Sequence, residues 1–231
     1  MKLIKNEFIK IGIKKQIISF IVLTIVLTLN YFINNKSLNE DNLLTMIPFI
    51  GIIITILFSG IMSNEIENGT FRFYLTKPVN RYKIYLSKLS TIIIYIVEML
   101  IYTILFYFLI NKNINNVDNF LITSVSLILI STIIIFLSTI IKNQSITSSI
   151  PILFLTFGLT ITELFLKKNI TIIKYTLIPY LDLTLFKTGM IDMINEEYNV
   201  ALSLNRGIII IIIYSIVFTY LGIKIFKNRN I

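Results

Sequence analysis

Six apolar runs, each close to twenty residues long, recur along this chain at residues 17–33, 43–62, 90–110, 120–141, 146–166 and 207–226. About twenty consecutive apolar residues in a helix match the hydrocarbon thickness of a bilayer. Inside lipid every backbone N–H and C=O must find its partner within the segment, which a helix provides. These runs therefore constrain the chain to an all-α integral membrane protein with six transmembrane helices. Bulk composition agrees: 55% of residues are hydrophobic and the mean hydropathy is +0.84, above the roughly 45–50% apolar content of soluble domains. The whole chain, residues 1–231, reads as a single transmembrane domain.

The formal charge of +9 does not point to nucleic acid, because Lys and Arg gather between the apolar runs. Their distribution instead sets an orientation. With the N-terminus in the cytoplasm, the inner intervals hold Lys2, Lys5, Lys10, Lys14 and Lys15, then Arg72, Lys77, Arg81, Lys83 and Lys88, then Lys142, and finally Lys224, Lys227 and Arg229. The two short outer loops hold only Lys36 and Lys112. The excess of cations on one side predicts a multi-pass protein of the cell membrane with both termini cytoplasmic.

Two stretches need separate treatment. In residues 1–15, Met1, Ile4, Phe8 and Ile11 form a stripe at helical spacing with lysines on the other sides, which predicts a helix lying in the membrane interface. A basic start before an apolar run also begins a secretory leader, but no small-residue cleavage site follows, and the only alanine is Ala201. Residues 167–206 are apolar in their first half yet interrupted by Lys174, Pro179 and Asp182. A seventh span here would place Lys224, Lys227 and Arg229 outside. The expectation is therefore a broken, re-entrant external element between spans five and six, followed by an exposed cap bearing Asp192, Glu196 and Glu197.

Several chemistries are excluded at once. The chain has no Cys and no His, so disulfides, thiol nucleophiles, His-based triads and Cys/His zinc sites are impossible. The neighbouring Glu196 and Glu197 lack the histidine that a membrane-embedded metalloprotease would require. No glycine is followed by lysine, so the phosphate-cradling P-loop is missing. No catalytic or metal-binding set emerges, and the chain is expected not to be an enzyme.

The longest polar interval before the C-terminal third is residues 63–88, SNEIENGTFRFYLTKPVNRYKIYLSK. Asn68, Gly69 and Thr70 supply turn chemistry and a helix cap. Phe71, Tyr74 and Leu75 follow at i, i+3 and i+4 and share one face, with Arg72 turned elsewhere. Pro78 then stops the short helix, having no N–H to donate, and Asn80 can cap the next. An aromatic face of this kind either rests on lipid headgroups or is buried in a partner.

The pattern of Glu65, Glu67, Gly69 and Thr70, about six further residues, then Lys77-Pro78-Val79-Asn80-Arg81 and a closing Ser87-Lys88, resembles the first cytoplasmic loop of ABC-2 type ABC transporter permeases. The interfacial N-terminal helix and the re-entrant element also resemble that family's layout. The resemblance implies a permease subunit of an ATP-driven exporter whose loop carries a coupling helix, residues 71–76, docked on a cytosolic P-loop ATPase. Phe71 and Tyr74 depart from the aliphatic residues the family more often places there. ATP and Mg would be bound by the ATPase, with no cofactor on this chain. The implied partners are that ATPase, a second permease copy (homodimer or paralogue heterodimer) and membrane lipid.

Glu98 stands near the middle of the third run. An ionisable group at that depth costs at least ~2.5 kcal/mol on insertion scales, so it is expected to face protein or a central path, with Tyr95 and Tyr102, as well as Ile94 and Ile101, on the same helix face. Two other functions remain compatible with the residues: an ion-coupled carrier or channel using Glu98, and a non-transporting immunity or structural membrane subunit.

Overall fold

The computed structural model describes residues 2–33, 40–69, 80–111 and 117–229. The described residues form α-helices and short 3-10 turns, with no strand among them. Helix α1 (Lys2–Ile11) is followed at once by α2 (Ile13–Ile33). Next come α3 (Glu40–Leu44), α4 (Met46–Phe58) and α5 (Ser63–Glu67). The remainder comprises α6 (Arg81–Asn111), α7 (Val117–Thr123), α8 (Ser126–Ile140), α9 (Gln144–Lys167), α10 (Met190–Tyr198) and α11 (Leu204–Asn228).

Six helical stretches are long and apolar enough to cross a membrane: Ile13–Ile33, Asn42–Glu67, Arg81–Ile110, Val117–Ile140, Gln144–Lys167 and Leu204–Asn228. Each matches one of the six apolar runs to within a few residues at most ends, and the third begins at Arg81 because the polar residues after Asn80 already form its first turns. Many of the Ser and Thr side chains within these stretches bond to their own helix. Thr55 donates to the carbonyl of Gly51 at 2.7 Å, Thr103 to Met99 at 2.9 Å and Thr162 to Gly158 at 2.8 Å. Bonding back to the preceding turn lets a Ser or Thr sit in an apolar helix without a partner from another one.

Gly12 separates α1 from α2. Its φ of +78° lies in the left-handed region that glycine enters without steric cost. The turn leaves the Phe8 carbonyl without its helical donor, and Gln16 Nε2 supplies one at 3.0 Å. At the other hinge the Asn143 side chain caps α9, accepting from Ser145 N at 2.8 Å.

The largest core cluster draws Leu23 and Leu27 from α2, Ile50 and Phe58 from α4, Tyr95 from α6 and Ile134 from α8. A second cluster joins Leu166, Tyr180, Leu183, Ile191, Ile194 and Ile211. It lies where residues 171–186 form three 3-10 turns, Thr171–Tyr175, Ile178–Tyr180 and Leu183–Phe186. No helix in that interval is long enough to cross a membrane. The second turn reaches the middle of α9, where a Cβ on Gly158 would lie 3.4 Å from the Ile178 carbonyl oxygen. Asp182 caps the third turn, accepting from Thr184 N at 2.9 Å and Thr184 Oγ1 at 2.5 Å, and burial pushes its carboxyl up. In α10, Ile191 and Ile194 face inward while Asp192, Glu196 and Glu197 are exposed. Asn195 closes the connection to α11 with two 2.9 Å bonds to the Leu202 backbone.

Candidate functional site

The most unusual chemistry lies at one end of the bundle, where α1, the end of the second membrane-length stretch and the start of α6 meet. Lys88 lies about two turns into α6, and its side chain is 0% exposed. An ammonium so placed must be compensated, because burying an unpaired charge costs several kcal/mol. Its Nζ lies 2.8 Å from Glu7 Oε2, 3.0 Å from Glu65 Oε2 and 3.0 Å from the Ile61 carbonyl oxygen. The remaining oxygen of each carboxylate goes to Lys10, whose Nζ is 3.1 Å from Glu7 Oε1 and 2.7 Å from Glu65 Oε1.

Among the described residues, two carboxylates and two ammoniums thus alternate in a ring whose formal charges balance. Glu7 is 5% and Glu65 15% exposed, whereas Lys10 is 40% exposed and forms the solvent side. Burial by itself would raise the Glu7 carboxyl, but the Lys88 ammonium, with Lys10 beside it, outweighs that effect and holds it below the ordinary carboxylate range.

Other polar contacts join the same end of the bundle. Asn64 Nδ2 donates to Gln144 Oε1 at 3.1 Å, linking α5 to the start of α9. Arg81 Nη1 donates to the carbonyls of Lys227 at 2.9 Å, Arg229 at 2.8 Å and Phe226 at 3.3 Å, supplying donors to the last turn of α11. Arg229 in turn donates to the Thr139 carbonyl near the end of α8.

The predicted loop residues are divided by this arrangement. Glu65 belongs to the buried ring, Glu67 is exposed, and Gly69 has a φ of +65°. Arg81 is engaged with the end of α11. Thr70, Phe71, Arg72, Tyr74, Leu75 and Pro78 lie outside the described residues. Glu7, Lys10 and Lys88 were not singled out as site residues from the sequence. One signal for Glu7 was present, since Ile4, Glu7, Phe8 and Ile11 share a helical face at i, i+3, i+4 and i+7.

The predicted mid-span face divides too. Glu98 is exposed on the outside of the subunit beside Ile94, Val97 and Ile101, and has no hydrogen bond among the described residues. Tyr95 is fully buried, its hydroxyl paired with Ser19 Oγ. The Tyr102 hydroxyl lies 2.7 Å from Thr24 Oγ1. Phe20 packs against both rings, at centroid distances of 5.8 and 5.3 Å. The two tyrosines therefore hold α6 to α2, turned away from the exposed surface that carries Glu98.

With six membrane-length helices, the chain is a multi-pass membrane protein. Its residues 8–231 match the family described as "Protein of unknown function (DUF2705)", and the chain belongs to that family. It is also similar to "Uncharacterized protein YhcI" of Bacillus subtilis (strain 168), with 26% identity over 78% of this chain and 64% of the relative. The chain thus spans a little under two thirds of that relative's length. No solved structure matches it.

Proposed function

We propose that the chain is the membrane-spanning permease subunit of an ATP-driven exporter of the ABC-2 type, with ATP bound and hydrolysed by a separate cytosolic P-loop ATPase. In this role the chain is not itself an enzyme and carries no cofactor. Both termini and residues 63–88 face the cytoplasm, α1 lies in the interface, and residues 171–186 re-enter the membrane from outside. A second permease copy covers the exposed surface around Glu98.

The observation that carries this proposal is the clasp between Glu65 and Lys88. These residues bracket residues 70–79 from either side, and the 3.0 Å ion pair between them ties the helix before that segment to the helix after it. Glu7 brings α1 into the same ring. A force applied to the intervening segment would consequently reach α1 and two membrane helices together. Side chains at such a junction have a mechanical use, since rigid elements transmit displacement that a loose loop would absorb.

Phe71, Tyr74 and Leu75 supply the contact with the ATPase, in a helix-in-groove mode where a few aromatic anchors dominate affinity. The test is the double variant Phe71→Ala with Tyr74→Ala in protein that still inserts normally, read by co-purification with the ATPase and by substrate-coupled ATP hydrolysis. Each truncation should cost ~2 kcal/mol or more of binding. Full retention of binding and coupling would overturn the assignment. Headgroup docking would instead make Arg72 and Lys83 matter as much as the aromatic residues, with strong weakening by salt.

A further inference from the structure

We propose that the seam between α8 and α11 is a binding site for one anionic glycerophospholipid, its phosphate held by Lys224 and Arg229 and one acyl chain running inward along the two helices. At the end of the bundle that carries the ion ring, Thr139 and Ile140 of α8 face Lys224, Ile225, Asn228 and Arg229 across a recess of about 450 Å³. Two cations and an amide line it, with no acidic side chain among the lining residues. Arg229 is hydrogen-bonded to a neutral carbonyl and makes no ion pair among the described residues. Basic recesses between membrane helices at the headgroup level are where anionic headgroups bind.

A second, wholly apolar cavity of about 160 Å³ lies further along α8, lined by Ile133 and Phe136 of α8, Pro151 and Phe154 of α9, Leu181 beside the second 3-10 turn and, from α11, Phe218. The alignment follows from helical spacing. Phe136 and Ile140 are four residues apart, and Phe218 and Ile225 seven, so each pair faces the same way, separated by roughly 6 and 10 Å along the axis. The rings of Phe136 and Phe218, which both line this cavity, meet at a centroid distance of 5.1 Å. A molecule with an anionic head and an apolar tail matches this order of surfaces; a free phosphate uses only the first part, and a neutral lipid only the second.

The test uses the purified full chain in neutral-lipid nanodiscs, with retained phosphatidylglycerol and phosphatidylcholine counted by native mass spectrometry. Lys224→Gln is the informative head variant, because Lys224 is exposed and Arg229 also caps α8. Ile133→Trp fills the inner cavity. Phosphatidylglycerol should be retained in excess, Lys224→Gln should weaken it about fivefold while leaving phosphatidylcholine unchanged, and Ile133→Trp should weaken it at an unchanged unfolding midpoint. Glycerol phosphate added in solution should not displace it. Equal retention of the two lipids, an unaffected Lys224→Gln variant, or displacement by glycerol phosphate would each overturn the proposal.

Discussion

Glu7 and Lys88, 81 positions apart in the chain, meet as a buried ion pair at 2.8 Å. Removing one partner leaves the other charged and desolvated, at a cost of about 3–5 kcal/mol. Lys88→Met should therefore lower the unfolding midpoint sharply in detergent. Glu7→Gln combined with Lys88→Met should cost clearly less than the two single changes added together, since the double variant leaves Glu65 and Lys10 as a neutral pair. Strict additivity would show that the ring does not act as a unit.

The ring also predicts a pH dependence. The Glu7 carboxyl is held below its ordinary value, so folding favours its ionised form, and the stability this contributes is complete above the unfolded glutamate pKa of about 4.3. It is lost as pH falls through the depressed folded value. The wild-type midpoint should thus fall more steeply than that of Glu7→Gln as pH drops below about 4. Parallel curves would remove Glu7 from the acid response.

Tyr85 and Gly222 make a complementary pair. The Tyr85 hydroxyl is buried and has no hydrogen-bond partner among the described residues, and a Cβ on Gly222 would overlap it. Tyr85→Phe should be neutral or stabilising by up to about 1–3 kcal/mol, because an unsatisfied buried hydroxyl is removed. Gly222→Ala should cost about 1–3 kcal/mol in the wild type and somewhat less in the Tyr85→Phe background, where the hydroxyl overlap is gone but Cζ and Cε2 of the ring remain 2.7 and 2.9 Å from the new methyl. Thermal unfolding of the four proteins checks this, and an equal penalty in both backgrounds would contradict it.

Orientation is open to direct labelling, because the chain has no cysteine of its own. Asn80 and Glu196 are both exposed. An impermeant thiol reagent applied to intact cells should modify Glu196→Cys and leave Asn80→Cys unmodified until the cells are opened. The opposite pattern would invert the topology and withdraw residues 63–88 from the cytoplasm.

If a second copy covers the Glu98 surface, single cysteines there should cross-link between subunits. Val97 and Ile101 are 47% and 52% exposed, and Ile212 on α11 is comparably exposed at 51%. Oxidation in membranes should give dimers for Val97→Cys or Ile101→Cys and none for Ile212→Cys. Monomer at both Val97 and Ile101 would leave Glu98 facing lipid.

The six spans were legible because length and apolarity in each run exceed what any other arrangement would tolerate, and the break near Gly12 fits the end of the amphipathic stripe. Residues 171–186 were legible only by elimination, since Lys174, Pro179 and Asp182 interrupt a helix without specifying the 3-10 turns that replace it. The ion ring was not legible as a unit. Glu7 stands on the apolar stripe, but nothing local says that its partner is Lys88, because tertiary pairing is decided by how the spans pack. The Glu98 face failed for a related reason. Around α6 the two tyrosines fall on one flank of Glu98 and the two isoleucines on the other, and the boundary between core and exposed surface runs between them.

The ring also fixes an order of assembly during synthesis. Glu7 and Lys10 share α1 and neutralise each other as soon as that helix forms. Glu65 arrives 55 residues after Lys10, and for the interval before Lys88 the ring lacks its second ammonium. At ~5–20 residues per second that interval of 23 residues lasts roughly one to five seconds. Lys88 at the start of α6 supplies that ammonium, so the complete ring requires α1, the helix that ends at Glu67 and the first turns of α6 together.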